Sequence, residues 1–158
     1  MKQVGLGFKQ YVQDFDGKYP LVTSGPRRWM GSKGKKGWME SLQPYLKAIT
    51  LFQCPSKTKA SAYGNIDYFY NSRLAGQRAD KLLYSANTVL IGDGIPDAPS
   101  NASLSQLPAS WLADSNSPAY RHLNAANYAF ADGHVKWLNP TEITNEKASN
   151  SVNTFAPW

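Results

Sequence analysis

One cysteine and two histidines are all that the 158 residues offer of the side chains most used for disulfides and metal centres. With Cys54 alone, no disulfide closes within the chain. Paired cysteine ligands, a glycine-rich phosphate loop and a Gly-x-Ser-x-Gly elbow are all missing, so the sequence does not call for zinc-ribbon, nucleotide-binding or α/β-hydrolase chemistry. Nothing in it demands an enzyme. The longest apolar run, around Val89-Leu90-Ile91, stops at Gly92, far short of the roughly 20 residues needed to cross a bilayer. Met1 leads straight into amphipathic sequence rather than into an apolar leader. Acidic residues are few, 11 against 17 Lys and Arg, which leaves a formal net charge of +6.

What is present is a folding chain. Hydrophobic residues make up 42% and aromatics 13%, which favours a packed core over disorder. The length suits one domain, residues 1–158, able to bury about two thirds of its unfolded surface. Val4, Phe8, Tyr11, Val12 and Phe15 fall at helical spacing and define one apolar stripe, predicting a helix over about 2–15. Gly5 and Gly7 weaken it by about 1 kcal/mol each relative to alanine, so packing must compensate. Asp16-Gly17 supplies a left-handed stop, and Pro20 follows. No Ser, Thr, Asp or Asn caps the helix before Lys2, so the expectation is that it starts in mid-element, with sequence missing upstream.

Residues 24–37, SGPRRWMGSKGKKG, read as a loop that carries Arg27, Arg28, Lys33, Lys35 and Lys36 with no acid among them. Trp29 beside these cations makes the loop a candidate contact for phosphate backbones and unpaired bases; a solvated loop is the plainer alternative. Further expectations are a short helix over 37–43, a short strand over 51–53 and a Tyr-rich strand within 60–71 that bends at Gly64-Asn65. A strand over 88–91 enters the Gly-rich bend 92–97, and a long surface loop over 98–118 is anchored by Trp111. The tail has little periodicity and docks through Phe155 and Trp158. One helix, docked by the Val4, Phe8, Tyr11, Val12 and Phe15 stripe on a small antiparallel sheet with long loops, describes an α+β fold.

The most informative stretch is YRHLNAANYAFADGHVKWL, residues 120–138. Asp132-Gly133 lies between two alternating runs and predicts a hairpin over about 127–138 with a two-residue turn, positive φ at both centres. In that register Tyr128, Phe130, Val135 and Trp137 share a core face, and Ala129, Ala131, His134 and Lys136 share a face that meets water.

The spacing His122, nine residues, Asp132-Gly133 resembles the signature that ends the soluble domain of prepilin-type, His-x9-Asp-Gly proteins, relatives of type II secretion pseudopilins and type IV pilins. The segment 2–20, Trp38 with Leu42 and Pro44-Tyr45, Phe52-x-Cys54-Pro55-Ser56, Tyr63-Gly64 and Tyr70-Asn71 follow in the order found in that family, over about 140 residues. The resemblance implies a pilin-like fold, with His122, Asp132 and Gly133 as structural motif residues and no catalytic role. It implies a filament subunit whose partners are other pilin or pseudopilin subunits and the secretion or pilus assembly machinery. An apolar helix preceding Lys2 would anchor the full-length form in the inner membrane, and the mature subunit would belong to the cell envelope or the extracellular space. It also implies that Cys54 has lost a disulfide partner just upstream of Lys2; a buried reduced thiol is the alternative.

Three candidate chemistries stand beside that reading. The basic loop would suit a minor pilin that captures DNA. His122, Asp132 and His134 carry the ligand and proton-carrier types of a metal-dependent hydrolase, although Asp132 is needed by the turn and His122 has a plainer role, hydrogen bonding turn carbonyls or Asp132. Asp93 and Asp97 flank a Gly-rich bend and are weak candidates for calcium; no cofactor is otherwise expected.

Overall fold

The computed structural model describes residues 1–26, 35–57, 59 and 61–158. Helix α1 (Lys2–Asp14) is followed by a ribbon of β1 (Thr23–Pro26) and β2 (Lys35–Gly37), the short helix α2 (Trp38–Leu42) and a 3-10 turn over Ile49–Phe52. Then come β3 (Asn65–Asn71), β4 (Val89–Pro99), β5 (Ser103–Leu104), α3 (Ala109–Ala113), β6 (Ala126–Phe130), β7 (Val135–Leu138), and the pair β8 (Ile143–Thr144) and β9 (Asn153–Thr154). The main sheet runs β5-β3-β4-β6-β7 and is antiparallel except where β5 lies parallel to β3. This is an α+β fold with the N-terminal helix against a mostly antiparallel five-stranded sheet. Among the described residues no helix is long and apolar enough to cross a membrane.

Helix α1 lies on one face of the sheet because Val4 and Phe8 are fully buried there. Phe8 meets Trp38 and Tyr70 with ring centroids 5.6 and 5.1 Å apart. The two glycines that weaken the helix also sit on this face: Gly5 is over Ala129, and a Cβ on Gly7 would come within 2.8 Å of the Leu46 side chain. The lost propensity is thus exchanged for close approach. Tyr11 and Val12 are partly buried, but Phe15, expected to dock on the sheet, is half exposed and stacks on Tyr11 at 4.1 Å instead. The helix ends as the sequence predicts, with Asp16 and Gly17 both at positive φ.

The opposite face is not bare. Phe69, Trp111, Tyr128, Phe130, Leu138 and Phe155 form a second core there. Residues 98–118, expected as a surface loop, supply β5 and α3 and bring Trp111 against Phe69. The tail brings Phe155, stacked on Phe69 at 5.7 Å, where the Asn71 side-chain amide donates to the Phe155 carbonyl. Trp158 stays half exposed.

The hairpin forms where expected but one residue out of the expected register. Ala129 faces Val135 and Tyr128 faces Lys136. The loop is three residues, Ala131 to Gly133, closed by the Phe130 N–H to the His134 carbonyl and the Gly133 N–H to the Phe130 carbonyl. Of Asp132 and Gly133 only the glycine takes positive φ, +94°, which fits a three-residue loop ending in a left-handed residue rather than a two-residue turn. Because side chains alternate, this single step turns Val135 and Trp137 to the helix-covered face and puts His134 and Lys136 beside Phe130. His134 stacks on that ring at 4.6 Å and the Lys136 ammonium lies 4.8 Å above it. Nor does Ala129's face meet water: Ala129 is fully buried under α1.

Three further expectations change. The basic segment is a β-ribbon at its two ends, pairing Thr23 with Gly37. Rather than a strand over 51–53, Leu51 and Phe52 end a 3-10 turn that drives Phe52 into the core, with Gln53 as its extended cap. Strand β4 continues to Pro99 through the expected bend, with its register against β3 shifting between Tyr68–Asp93 and Ile66–Ala98.

Candidate functional site

Asp132, Gly133 and His134 make a local unit. The Asp132 carboxylate accepts from the His134 backbone N–H at 3.1 Å and lies 2.6 Å from Nδ1 of the same residue, while Lys9 of α1 passes over Gly133. This brace closes the hairpin.

His122 is not part of it. The two-residue turn with positive φ at both centres, expected at Asp132-Gly133, occurs instead at Leu123 and Asn124, with φ of 54° and 63°. His122 and Ala125 exchange backbone hydrogen bonds across that turn, at 2.8 and 3.3 Å. Leucine at positive φ is strained, and Leu123 projects almost wholly into solvent. The turn aims the His122 ring away from Asp132 and toward β4, where Nε2 lies 3.2 Å from Oδ2 of Asp93 and 3.6 Å from Sγ of Cys54. The three ligand atoms lie within 4.8 Å of one another, and this is the sole such group of His, Cys, Asp or Glu side chains among the described residues. His122, Asp132 and His134, the expected hydrolase set, therefore do not converge.

Both the thiol and the carboxylate approach the same ring nitrogen. A nucleophile relay needs one imidazole nitrogen for the thiol and the other for the carboxylate, so the arrangement is not a Cys-His-Asp triad. It is a convergent set of thiol, carboxylate and imidazole. Cys54 and Asp93 are buried and His122 is nearly so.

The surroundings hold each member in place. Asp93 accepts from the Asn127 N–H at 2.8 Å and has the Arg121 guanidinium 3.7 Å from its other oxygen. Arg121 also reaches the Gly94 carbonyl, and the Trp137 indole N–H donates to the His122 carbonyl at 2.7 Å. Cys54 is fixed through Asp67, a fully buried carboxylate that accepts the Cys54 N–H at 2.9 Å, the Asp97 N–H at 2.8 Å, the Ser61 hydroxyl at 2.7 Å and the Lys57 ammonium at 3.1 Å. Burial alone raises the Asp67 pKa, but these four donors outweigh it and hold the carboxyl below its usual range. Burial first, then the nearby Asp93 and Cys54 charges, push the Tyr68 phenol up. Sequence reasoning passed over Asp67; the available signal was an acid set among the aromatic and aliphatic residues of a strand.

The calcium candidates part company: Asp93 turns to His122, whereas Asp97 accepts from the Ala62 N–H and the Asn65 amide at an exposed turn. Arg27, Arg28, Trp29 and Lys33 of the candidate nucleic-acid contact lie outside the described residues, and Lys35 and Lys36 belong to β2. The chain matches no protein-family model, no curated protein and no solved structure.

Proposed function

We propose that this chain is a structural subunit of a type IV pilus-like or type II secretion pseudopilus filament. The observation that carries the reading is the placement of α1: the first element of the chain lies on the sheet through Val4, Gly5, Gly7 and Phe8 and leaves Leu6 half exposed. In a filament built from such subunits, a helix held this way would continue upstream into an apolar core, and the sheet and loops would form the outer wall. The motif residues suit that architecture. Gly133 and Asp132 close the hairpin on which α1 rests, and His122 ties the hairpin's lead-in to the central strand. The subunit would act by packing, with neighbouring subunits and the assembly machinery as its partners.

The genomic sequence immediately before the codon for Lys2 tests this directly. An apolar stretch of roughly 20 residues behind a prepilin-type Gly-Phe cleavage site, with a Glu nearby, is the expected result. A native start codon at Met1 would overturn the proposal.

A further inference from the structure

We propose that Cys54, Asp93 and His122 form a binding site for one zinc-class divalent transition metal, which ties the segment after the 3-10 turn to the central strand and to the lead-in of the hairpin. The inference does not depend on the filament reading, because it rests on distances within one chain. In a tetrahedral zinc site, metal–sulfur, metal–nitrogen and metal–oxygen lengths of about 2.3, 2.05 and 2.1 Å set ligand separations near 3.6 Å for sulfur to nitrogen and near 3.4 Å for nitrogen to oxygen. The corresponding separations here are 3.6 and 3.2 Å. Two edges of the ligand triangle thus match one coordination tetrahedron, and the third, sulfur to oxygen, is no longer than 4.8 Å.

Chemical softness points the same way. A thiolate, a carboxylate and a neutral imidazole bring two negative charges, which a divalent ion cancels, and Arg121 beside Asp93 then leaves one net positive charge at the site. Thiolate and imidazole together select zinc or a similar borderline ion over calcium and magnesium, which take oxygen ligands. The outer partners are also in place. Asn127 N–H holds Oδ2 of Asp93, Arg121 lies beside its other oxygen, and the strained turn at Leu123-Asn124 sets the His122 ring. The fourth position faces a cleft of about 370 Å³ whose walls include Met1, Ser56 and Tyr68, with room for a water or an added ligand.

The test uses the whole chain, stripped of metal and kept reduced, titrated with zinc against a chromophoric chelator and separately with cobalt. One equivalent should bind, and cobalt should produce a thiolate-to-metal charge-transfer band. At a zinc concentration about 100 times the dissociation constant, the thermal midpoint should rise by about 5–10 °C. Cys54→Ser should abolish the cobalt band, and both it and His122→Ala should weaken binding by at least about tenfold. His134→Ala, which changes the chain's other histidine, should bind as the parent does. Asp93→Asn should weaken binding likewise; should it fail to fold, the near-isosteric Cys54→Ser still decides the matter. Absence of the cobalt band, or equal binding by the parent and Cys54→Ser, would overturn the site and leave an Asp93–His122 ion pair beside a spectator thiol.

Discussion

The two faces of the central sheet are covered in different ways, and both bury large aromatic side chains. On one, a thirteen-residue helix and α2 bring Phe8 and Trp38 onto Tyr70. On the other, α3, a five-residue helix set among loops, and the tail just after β9 bring Trp111 and Phe155 onto Phe69. Adjacent residues of β3, Phe69 and Tyr70, anchor the two cores, and both are buried. A long regular element is therefore not what closes a sheet face; large side chains delivered to it are, and a short helix or a tail delivers them when its backbone is tied down. Here the Asn71 amide, donating to the Val89 and Phe155 carbonyls, ties the tail.

The largest expected effects test that equivalence. Phe8→Ala and Phe155→Ala each remove a fully buried ring, and each should lower the unfolding free energy by about 3–5 kcal/mol in urea titrations. A cost below about 1 kcal/mol at Phe155, with the full cost at Phe8, would mean that the tail is a loose cover and the comparison false.

Asp67 separates the faces from the clasp between loop and sheet. Asp67→Asn loses the charge that four donors converge on and should cost about 1–3 kcal/mol. The pH dependence has a definite sign. The folded pKa is depressed, so the stabilisation is present above the unfolded value of about 3.9 and is lost as pH falls through the lower folded value. Acid titrations of stability should thus be steeper below about pH 4 for the parent than for Asp67→Asn; parallel curves would remove Asp67 from the account.

These regions also differ in how far the sequence foretold them. Val4 and Phe8 lie one helical turn apart, and that local period marked the helix and its buried side. The hairpin was placed within a residue or so, yet its register was misread, because Asp-Gly suits a two-residue turn and also a three-residue loop in which glycine alone is left-handed. Trp111 and Phe155 belong to segments without a period, so nothing nearby in the chain tells which face they cover. Neither was the company of His122 legible. Cys54 is 68 residues away, and the turn that aims the ring uses Leu123, a residue type that no turn preference would propose.

Gly133→Ala probes the left-handed position that closes the hairpin, which the two-residue and the three-residue loop both place at Gly133. At φ +94° an alanine is strained, and its Cβ would meet the Lys9 side chain at 2.8 Å. Lys9 is flexible and exposed, so the backbone term should dominate, at about 1–2 kcal/mol, measurable as a lower urea midpoint with unchanged slope. A neutral result would argue for a turn that tolerates ordinary residues and against a left-handed residue at Gly133.

The smallest effect concerns Trp137, which the shifted register turns toward the helix-covered face but leaves more than half exposed. Its indole N–H donates to the His122 carbonyl. Trp137→Phe keeps an aromatic ring and removes that donor from a group that water can reach, so stability should fall by no more than about 1 kcal/mol. Had the predicted register held, Trp137 would be a core residue, and the smaller ring would leave a cavity costing about 2 kcal/mol or more. Thermal or urea unfolding of this single variant therefore distinguishes the two hairpin registers.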